Sequence, residues 1–129
     1  MHHETDTIVA PITAPGRGAI AVVRLSGSKA VGIARQVFPS LPKEIEYRFA
    51  YYGDFVHGDD GLATDFAEGA SYTGEESIEM SIHGSPASVQ SLVESCISHG
   101  ARLAEPGEFT LRAFMNGRID LSQAEGVRE

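Results

Sequence analysis

The sequence predicts an α+β fold in which a mixed β-sheet carries helices on its surface, and three segments support this prediction. Residues 19–25 form a nearly continuous apolar and β-branched run, which is typical of a central strand covered on both faces. Residues 77–83 alternate between polar and apolar side chains, which is the period of a strand with one buried face. A helical apolar stripe follows, formed by Val89, Leu92, Val93, Cys96 and Ile97.

Composition fits one domain and excludes several classes of protein. The chain has 129 residues and a formal net charge of -8, from 10 Lys and Arg against 18 Asp and Glu. This acidity argues against a chain that grips a nucleic-acid backbone by itself, because it would repel the phosphates. The sequence has neither a Cys/His cluster for zinc nor the Gly-x-Ser-x-Gly motif of a nucleophilic serine.

The same composition predicts a cytoplasmic protein without a membrane segment. No apolar run approaches the roughly 20 residues that span a bilayer. The polar start of the chain, Met1 to Glu4, is not followed by the apolar core of a secretory signal. Cys96 is the only cysteine, which excludes an internal disulfide and fits a reducing compartment.

The first quarter of the chain predicts two strands joined by a turn. Residues 7–10 form a short strand, and Pro11 places it at an edge or a bulge of the sheet. Residues 14–18 are rich in glycine and proline but lack the lysine and the Ser/Thr of a phosphate-binding loop. Because the strand at 19–25 follows them, rather than a helix, we interpret them as a turn between strands.

The middle of the chain predicts a helix and a second group of strands. Residues 26–28 supply an N-cap for a helix that ends before Pro39. Residues 49–57 predict a strand that enters a turn at 58–61. Residues 63–72 fit a strand and a loop equally well.

The last third predicts three helices. The first has Ser85 as its cap and ends at Gly100. A short helix follows over 108–115, and Asp120 with Gln123 forms a capping box for a third. That helix has barely two turns before the sequence stops, so we expect the polypeptide to continue.

Two charged side chains stand out as candidate ligand contacts. Arg24 shares a face of its strand with Ile20 and Val22, so it either covers the edge of the core or offers its guanidinium to a carboxylate or carbonyl oxygen. Glu79 lies on the polar face of its strand, where it is either solvated or accepts two parallel hydrogen bonds from an edge such as that of a pterin. His83 shares that face and ranks below Glu79, because a histidine before glycine is commonly a turn residue.

Three further residues fit structural roles. Glu108 lies near a helix start, where a carboxylate offsets the helix dipole. Arg118 lies in the turn between the last two helices, where a long cation is commonly solvated. Cys96 lies on an apolar stripe and is interpreted as an inert core residue. The residues alone therefore indicate an α+β domain with an anion- and amide-binding face.

A series of short motifs resembles one family, the N-terminal domain of the tRNA modification GTPases called MnmE or TrmE. The stretch from Pro106 to Glu125 is the most specific. In chain order the motifs are Asp-Thr-Ile-Val-Ala at 6–10, Pro-Gly-Arg-Gly at 15–18, Arg-Leu-Ser-Gly at 24–27, Ser-Tyr-Thr-Gly-Glu at 71–75, Glu79, His-Gly at 83–84, Pro-Gly-Glu-Phe-Thr at 106–110, Arg-Ala-Phe at 112–114, Asn-Gly-Arg-Ile-Asp-Leu at 116–121 and Gln-Ala-Glu at 123–125.

The resemblance implies a tetrahydrofolate-binding domain over residues 1–119 and the start of a helical domain over 120–129. It implies binding of 5-formyl-tetrahydrofolate or another reduced folate, and a homodimer. With an MnmG-type flavoprotein, the full-length family member installs a carboxymethylaminomethyl-type group at carbon 5 of the tRNA wobble uridine. The family's sites for GTP, Mg²⁺ and K⁺ lie in other domains, so we expect this fragment to be inactive alone and to meet tRNA only through the full complex.

The family's folate contacts fall on Arg24, Glu79 and Arg118, and the resemblance implies neither a catalytic residue nor a metal ligand in this chain. Arg118 replaces the lysine of some members. Residues 61–71 are shorter than usual and lack an apolar strand that ends in an aromatic residue, and Ser85 stands where a second glycine is common. These departures leave an alternative open, a dimerisation or interaction module with reduced or lost folate binding.

Overall fold

The computed structural model describes residues 6–127, which form a six-stranded sheet with four helices. The strand order is β3-β4-β5-β2-β1-β6, with every neighbouring pair antiparallel except β1 and β6. The predicted mixed sheet and α+β class are therefore confirmed. The elements are β1 Ile8–Pro11, β2 Ile20–Ser26, α1 Ala30–Val37, β3 Ala50–Asp54, β4 Asp60–Phe66, β5 Ser77–His83, α2 Pro86–Ser98, β6 Arg102–Leu103, α3 Glu108–Met115 and α4 Leu121–Gly126.

The core lies between one face of the sheet and the helices α1 and α2. The apolar residues of β5 point into it, as the alternation at 77–83 predicts, and Cys96 of α2 is buried among them. Burial raises the pKa of the Cys96 thiol to about 12. The interpretation of Cys96 as a core residue is confirmed. The sheet and the two helices contribute Ala21, Val23, Leu25, Ile78, Met80, Ile82, Ala30, Ile33, Ala34, Val37, Leu92, Val93 and Cys96.

The opposite face of the sheet, which we call the open face, is covered only in part. Ala21, Val23 and Leu25 are buried, whereas Ile20 on the other side of β2 is 64% exposed. The prediction that β2 is covered on both faces is therefore wrong. Its apolar run buries one face under α1 and α2, while Ser26 on the open face is buried beneath the loop that follows β4.

β1 is an interior strand along Ile8 and Val9, but its outer side is unpaired at Pro11. Of the predicted edge or bulge at Pro11, the structure therefore supports an edge that is local to this residue. β1 pairs with β2 on one side and with β6 on the other. β6 has only two residues, and they reach only Ile8 and Val9. Pro11 lies beyond the end of β6, where the missing N–H breaks no ladder bond to that strand.

The segment 63–72, whose sequence fitted both a strand and a loop, contains the end of β4 and the start of a loop. The strand ends at Phe66, and residues 67–76 form a loop, called here the 67–76 loop, before β5 begins. The shortened segment therefore keeps a sheet strand. Among the described residues, no helix combines the length and the apolar character that a bilayer span requires.

The helix ends follow the sequence in all but one case. α2 has Ser85 at its N-cap, α3 has the predicted bounds, and Asp120 and Gln123 form both bonds of the capping box of α4. The predicted cap of α1 at residues 26–28 is wrong, because Lys29 takes the N-cap position. Its backbone N–H donates to Thr7 Oγ1 at 2.9 Å, a bond between residues distant in sequence.

Candidate ligand-binding face around Arg24 and Glu79

Arg24 and Glu79 form an ion pair on the open face. They lie directly opposite each other in the antiparallel register of β2 and β5. Nη2 and Nε of Arg24 donate to the same carboxylate oxygen, Oε2 of Glu79, at 3.0 and 3.2 Å. The side chains are 12% and 28% exposed, so the pair is largely shielded but can be reached from solvent.

Small side chains surround this pair in its row across the sheet. Ala10 of β1 lies opposite Arg24, and Thr64 of β4 lies opposite Glu79. Ala50 of β3 follows next in the same row. Cross-strand partners lie on the same face of a sheet. The two charged groups are therefore flanked by short side chains, and together they form a shallow surface, called here the Arg24–Glu79 floor, on which a flat molecule could lie.

Two aromatic rings bracket the guanidinium of Arg24. Its central carbon Cζ lies 4.8 Å from the ring centroid of Tyr72 and 5.1 Å from that of Phe109. Both distances are within the range of a cation–π interaction. Tyr72 comes from the 67–76 loop and Phe109 from α3, so the site combines two strands, a loop and a helix.

The turn between α3 and α4 holds the 67–76 loop in place. Arg118 donates from Nε to the carbonyl oxygen of Ser71 at 2.9 Å and from Nη1 to that of Gly69 at 3.0 Å. Asn116 donates from Nδ2 to the carbonyl oxygen of Thr73 at 2.9 Å. Gly74 has φ +84°, and a Cβ there would lie 2.7 Å from Cβ of Asn116, so this close approach requires glycine.

A buried ionic network joins the other side of the loop to α3. Arg112 is 3% exposed, and it bonds Glu75 of the loop at 3.1 Å and Glu108 at 3.2 Å. Arg102 of β6 bonds Glu108 at 2.7 Å. The network therefore fixes the loop, α3 and the end of the sheet relative to one another.

Glu108 has a larger role than the predicted offset of a helix dipole. Burial alone would raise the pKa of its carboxyl group, but the hydrogen bonds from Arg102 and from the backbone N–H of Glu105, with the charges of Arg102 and Arg112, hold this pKa at about 2. The same contacts raise the pKa of Arg102. Glu108 is thus a permanently charged centre of the network at neutral pH.

Comparison with known proteins identifies the family. A family model described as "GTP-binding protein TrmE N-terminus" matches residues 7–118. The chain belongs to this family. The resemblance seen in the sequence motifs is therefore confirmed.

Three similar curated proteins carry the name tRNA modification GTPase MnmE. The protein from Neisseria meningitidis serogroup C (strain 053442) is 46% identical over 134 aligned residues, which cover 100% of this chain and 29% of the relative. Those from Nitrosomonas europaea and Hydrogenovibrio crunogenus are 47% and 46% identical over 129 residues, 96% of this chain and 28% of each relative. The chain thus spans less than a third of the length of these relatives, whose name describes a GTPase of tRNA modification.

In this TrmE-family domain, the structure brings two of the three predicted site residues together. Arg24 and Glu79 are in direct contact, which excludes full solvation of either side chain. Arg118 reaches them only through the loop, because it binds the carbonyl of Ser71, the neighbour of Tyr72. It is exposed but bonded, not merely solvated as its position in a turn suggested.

Sequence reasoning missed the aromatic partners of Arg24 and the network around Arg112. Tyr72, Phe109 and Arg112 all lie within the quoted motifs, but a motif does not give spatial neighbours. The available signal was the concentration of aromatic and charged residues in 71–75 and 106–112, two segments that contain little of the apolar core.

A second polar cluster of the domain lies at the other end of β5 from the Arg24–Glu79 pair. Nδ1 of His83 is 2.6 Å from Oδ1 of Asp59 and 3.8 Å from Oδ1 of Asp60, and Ser88 donates to Asp59 at 3.0 Å. The hydrogen bond to Asp59 raises the pKa of His83. The ligand-type atoms of Asp59, Asp60 and His83 lie within 4.8 Å of one another, but His83 is 70% exposed.

The base of the 67–76 loop contains a buried pair of carboxyl groups. Oδ1 of Asp65 and Oε2 of Glu76 are buried, and neither oxygen has a hydrogen-bond donor within residues 6–127. Burial, and then the hydrogen bond to Asp65, raise the pKa of Glu76 well above its ordinary value. Glu76 therefore keeps its proton to a higher pH than an ordinary glutamate does.

Proposed function

We propose that this chain is the folate-binding N-terminal module of a tRNA modification GTPase. Its ligand is 5-formyl-tetrahydrofolate or a related one-carbon folate. The observation that carries the proposal is the Arg24–Glu79 pair on the open face, set among small residues and bracketed by two aromatic rings. Membership of the family and the names of its relatives support the connection with tRNA modification.

Glu79 is suited to read the edge of a pterin ring. Both bonds from Arg24 fall on Oε2, and Oε1 accepts no hydrogen bond from any of the described residues. A pterin presents a ring N–H and an exocyclic amine side by side, which match the two oxygens of a carboxylate. Arg24 balances the negative charge of Glu79 and binds its Oε2, which leaves Oε1 open to the ligand.

The two arginines are suited to the oxygen atoms of the ligand. Arg24 has further N–H groups beyond the two that bind Glu79. Arg118 uses two N–H donors on the carbonyls of Gly69 and Ser71, which fix the plane of its guanidinium. Its other donors are then available for a carbonyl or carboxylate oxygen of the folate.

Homodimerisation is the second part of the proposed function. The open face carries apolar side chains that the chain itself does not cover. Ile20 is 64% exposed, Leu62 38% and Tyr52 68%. A second copy that covers these side chains would bury apolar area at the edge of the Arg24–Glu79 floor.

The remaining proposals concern the full-length protein. Residues 1–119 form the folate-binding domain, and α4 within residues 120–129 begins the helical domain. The full-length protein binds GTP, Mg²⁺ and K⁺ outside this fragment, works with an MnmG-type flavoprotein in the cytoplasm, and modifies carbon 5 of the tRNA wobble uridine. This fragment alone does not hydrolyse GTP and does not bind tRNA strongly, because its net charge is -8.

The proposal is tested by calorimetric titration of the chain with 5-formyl-tetrahydrofolate, with its oligomeric state measured in the same buffer. Saturable binding at one site per protomer is the expected result. A specific observation favours the alternative, a dimerisation or interaction module: the charges of Arg24 and Glu79 are already paired with each other. A folded dimer that binds none of several reduced folates would select that alternative.

A further inference from the structure

The contact between Glu79 and Arg24 does not by itself fix the guanidinium of Arg24. Both N–H donors converge on one oxygen, Oε2, at 3.0 and 3.2 Å. A guanidinium held at a single acceptor atom can rotate about that contact, unlike one bonded to both oxygens of a carboxylate. A second restraint is needed if Arg24 is to present its other N–H groups in one direction.

The rings of Tyr72 and Phe109 supply that restraint. They lie 4.8 and 5.1 Å from Cζ of Arg24, close enough for both to restrict the movement of the guanidinium plane. The position of Phe109 is set by the packing of α3, because this residue is 5% exposed and belongs to that helix. Tyr72 is the partner that comes from a loop, so its position depends on what holds that loop.

Tyr72 is held from two directions. Its hydroxyl group and Thr110 Oγ1 of α3 are 3.0 Å apart. Its preceding residue, Ser71, has its carbonyl oxygen bonded by Arg118 at 2.9 Å. The ring is therefore placed by α3 and by the turn that follows α3, and it is restrained before any ligand arrives.

We infer that Tyr72 is a positioning residue for ligand recognition: its ring holds the guanidinium of Arg24 in the orientation that meets the carbonyl or carboxylate oxygen of a folate. Only the identity of the ligand rests on the proposed function. The restraint of Arg24 by Tyr72 is a property of the ligand-free protein and is measured without ligand.

The test compares Tyr72→Leu with Tyr72→Phe in the 129-residue chain. Leucine removes the aromatic face, whereas phenylalanine keeps it and loses only the hydroxyl group. Phe49→Leu is the matched control, because Phe49 is an exposed aromatic residue whose ring contact is with Tyr51. The first measurement is the NMR signal of Arg24 Nε–H and its rate of exchange with water, without ligand. The second is the affinity for 5-formyl-tetrahydrofolate.

Tyr72→Leu is expected to shift the Arg24 Nε–H signal, because a ring current is lost, and to speed its exchange with water. It is expected to weaken folate binding roughly 3- to 30-fold, the range of a partly desolvated cation–π contact. Tyr72→Phe keeps the ring but loses the bond to Thr110, so its signal, exchange rate and affinity are expected to lie between those of Tyr72→Leu and the unaltered chain. Phe49→Leu changes none of them.

An Arg24 Nε–H signal and exchange rate that stay unchanged in Tyr72→Leu would overturn the inference. If the unaltered chain binds no folate, the proposed function fails, and the ligand-free signal still decides the role of Tyr72. If Tyr72→Leu does not fold, Tyr72→Trp takes its place in the test. The chain has no native tryptophan, so its fluorescence reports this ring alone. Adding Arg24→Met must then change the emission, and an unchanged spectrum would also overturn the inference.

Discussion

Replacing Glu79 by glutamine is the most direct perturbation of the proposed site. Glu79→Gln keeps the shape of the side chain but removes its charge and turns one acceptor oxygen into a donor NH₂ group. The two N–H donors of a pterin edge would then face one acceptor and one donor. A hydrogen bond to a charged group is worth about 1.5 to 3 kcal/mol, so folate affinity should fall roughly 10- to 150-fold.

The same substitution has a smaller effect on stability. Arg24 loses its charged partner but remains 12% exposed and in contact with two aromatic rings. Loss of a surface ion pair costs up to about 1 kcal/mol, and removal of one partner of a buried pair costs about 3 to 5 kcal/mol. The Arg24–Glu79 pair is intermediate, so we expect the free energy of unfolding to fall by about 1 to 2 kcal/mol. The protein should therefore remain folded, and a change in affinity can be read as a change in the site.

Calorimetry at neutral pH measures the affinity, and urea unfolding measures the stability. Glu94→Gln is the control, because Glu94 is an exposed carboxylate of α2 whose partner is Gln90 of the same helix. Equal folate affinities in Glu79→Gln and the unaltered protein would refute the assignment of Glu79 to the ligand. If Glu94→Gln also lost folate affinity, the loss in Glu79→Gln would be explained by the change in net charge.

Three further predictions concern the supports of the site. Arg112→Met should lower the free energy of unfolding in urea by about 3 to 5 kcal/mol, because it leaves the buried carboxylate of Glu108 short of one cation; a loss below about 1 kcal/mol would show that the network is not stabilising. Gly74→Ala should cost about 1 to 3 kcal/mol in the same assay, because φ is +84° and the new Cβ meets Asn116 at 2.7 Å; an unchanged midpoint would contradict the close approach. The raised pKa of Glu76 means that the folded state binds a proton that the unfolded state releases, so stability falls as pH rises from the ordinary glutamate range towards the raised pKa. Glu76→Gln should remove this part of the pH dependence, by at most about 1.4 kcal/mol per pH unit, and an unchanged pH profile of the urea midpoint would show that Glu76 is not the group responsible.

Elements with local signals were predictable from the sequence. The alternation in β5, the bounds of α3 and the capping box of α4 depend on residues within a few positions of one another. β6 was not predictable, because two residues carry no periodicity and the strand exists only through its pairing with β1. The cap of α1 was missed for the same reason, since Thr7 supplies its hydrogen bond from 22 residues away.

The candidate site was predictable residue by residue but not as an arrangement. Strand periodicity places Arg24 and Glu79 on polar or open faces, and only the register of β2 with β5 makes them opposite each other. The bracket of Tyr72 and Phe109 depends on a loop and a helix that approach β2 from distant parts of the sequence. Such contacts follow from tertiary packing, which a single sequence does not encode in any local pattern.

The hydrogen bonds of Arg118 connect the 67–76 loop to the residues that begin α4. Arg118 holds the Ser71 carbonyl, and two residues later Asp120 caps the first turn of α4. A tilt of α4 that moved Arg118 would therefore pull on the carbonyl of Ser71, the residue next to Tyr72. If such a tilt changes the affinity for a molecule bound on the sheet, that molecule changes the preferred tilt of α4 by the same free energy.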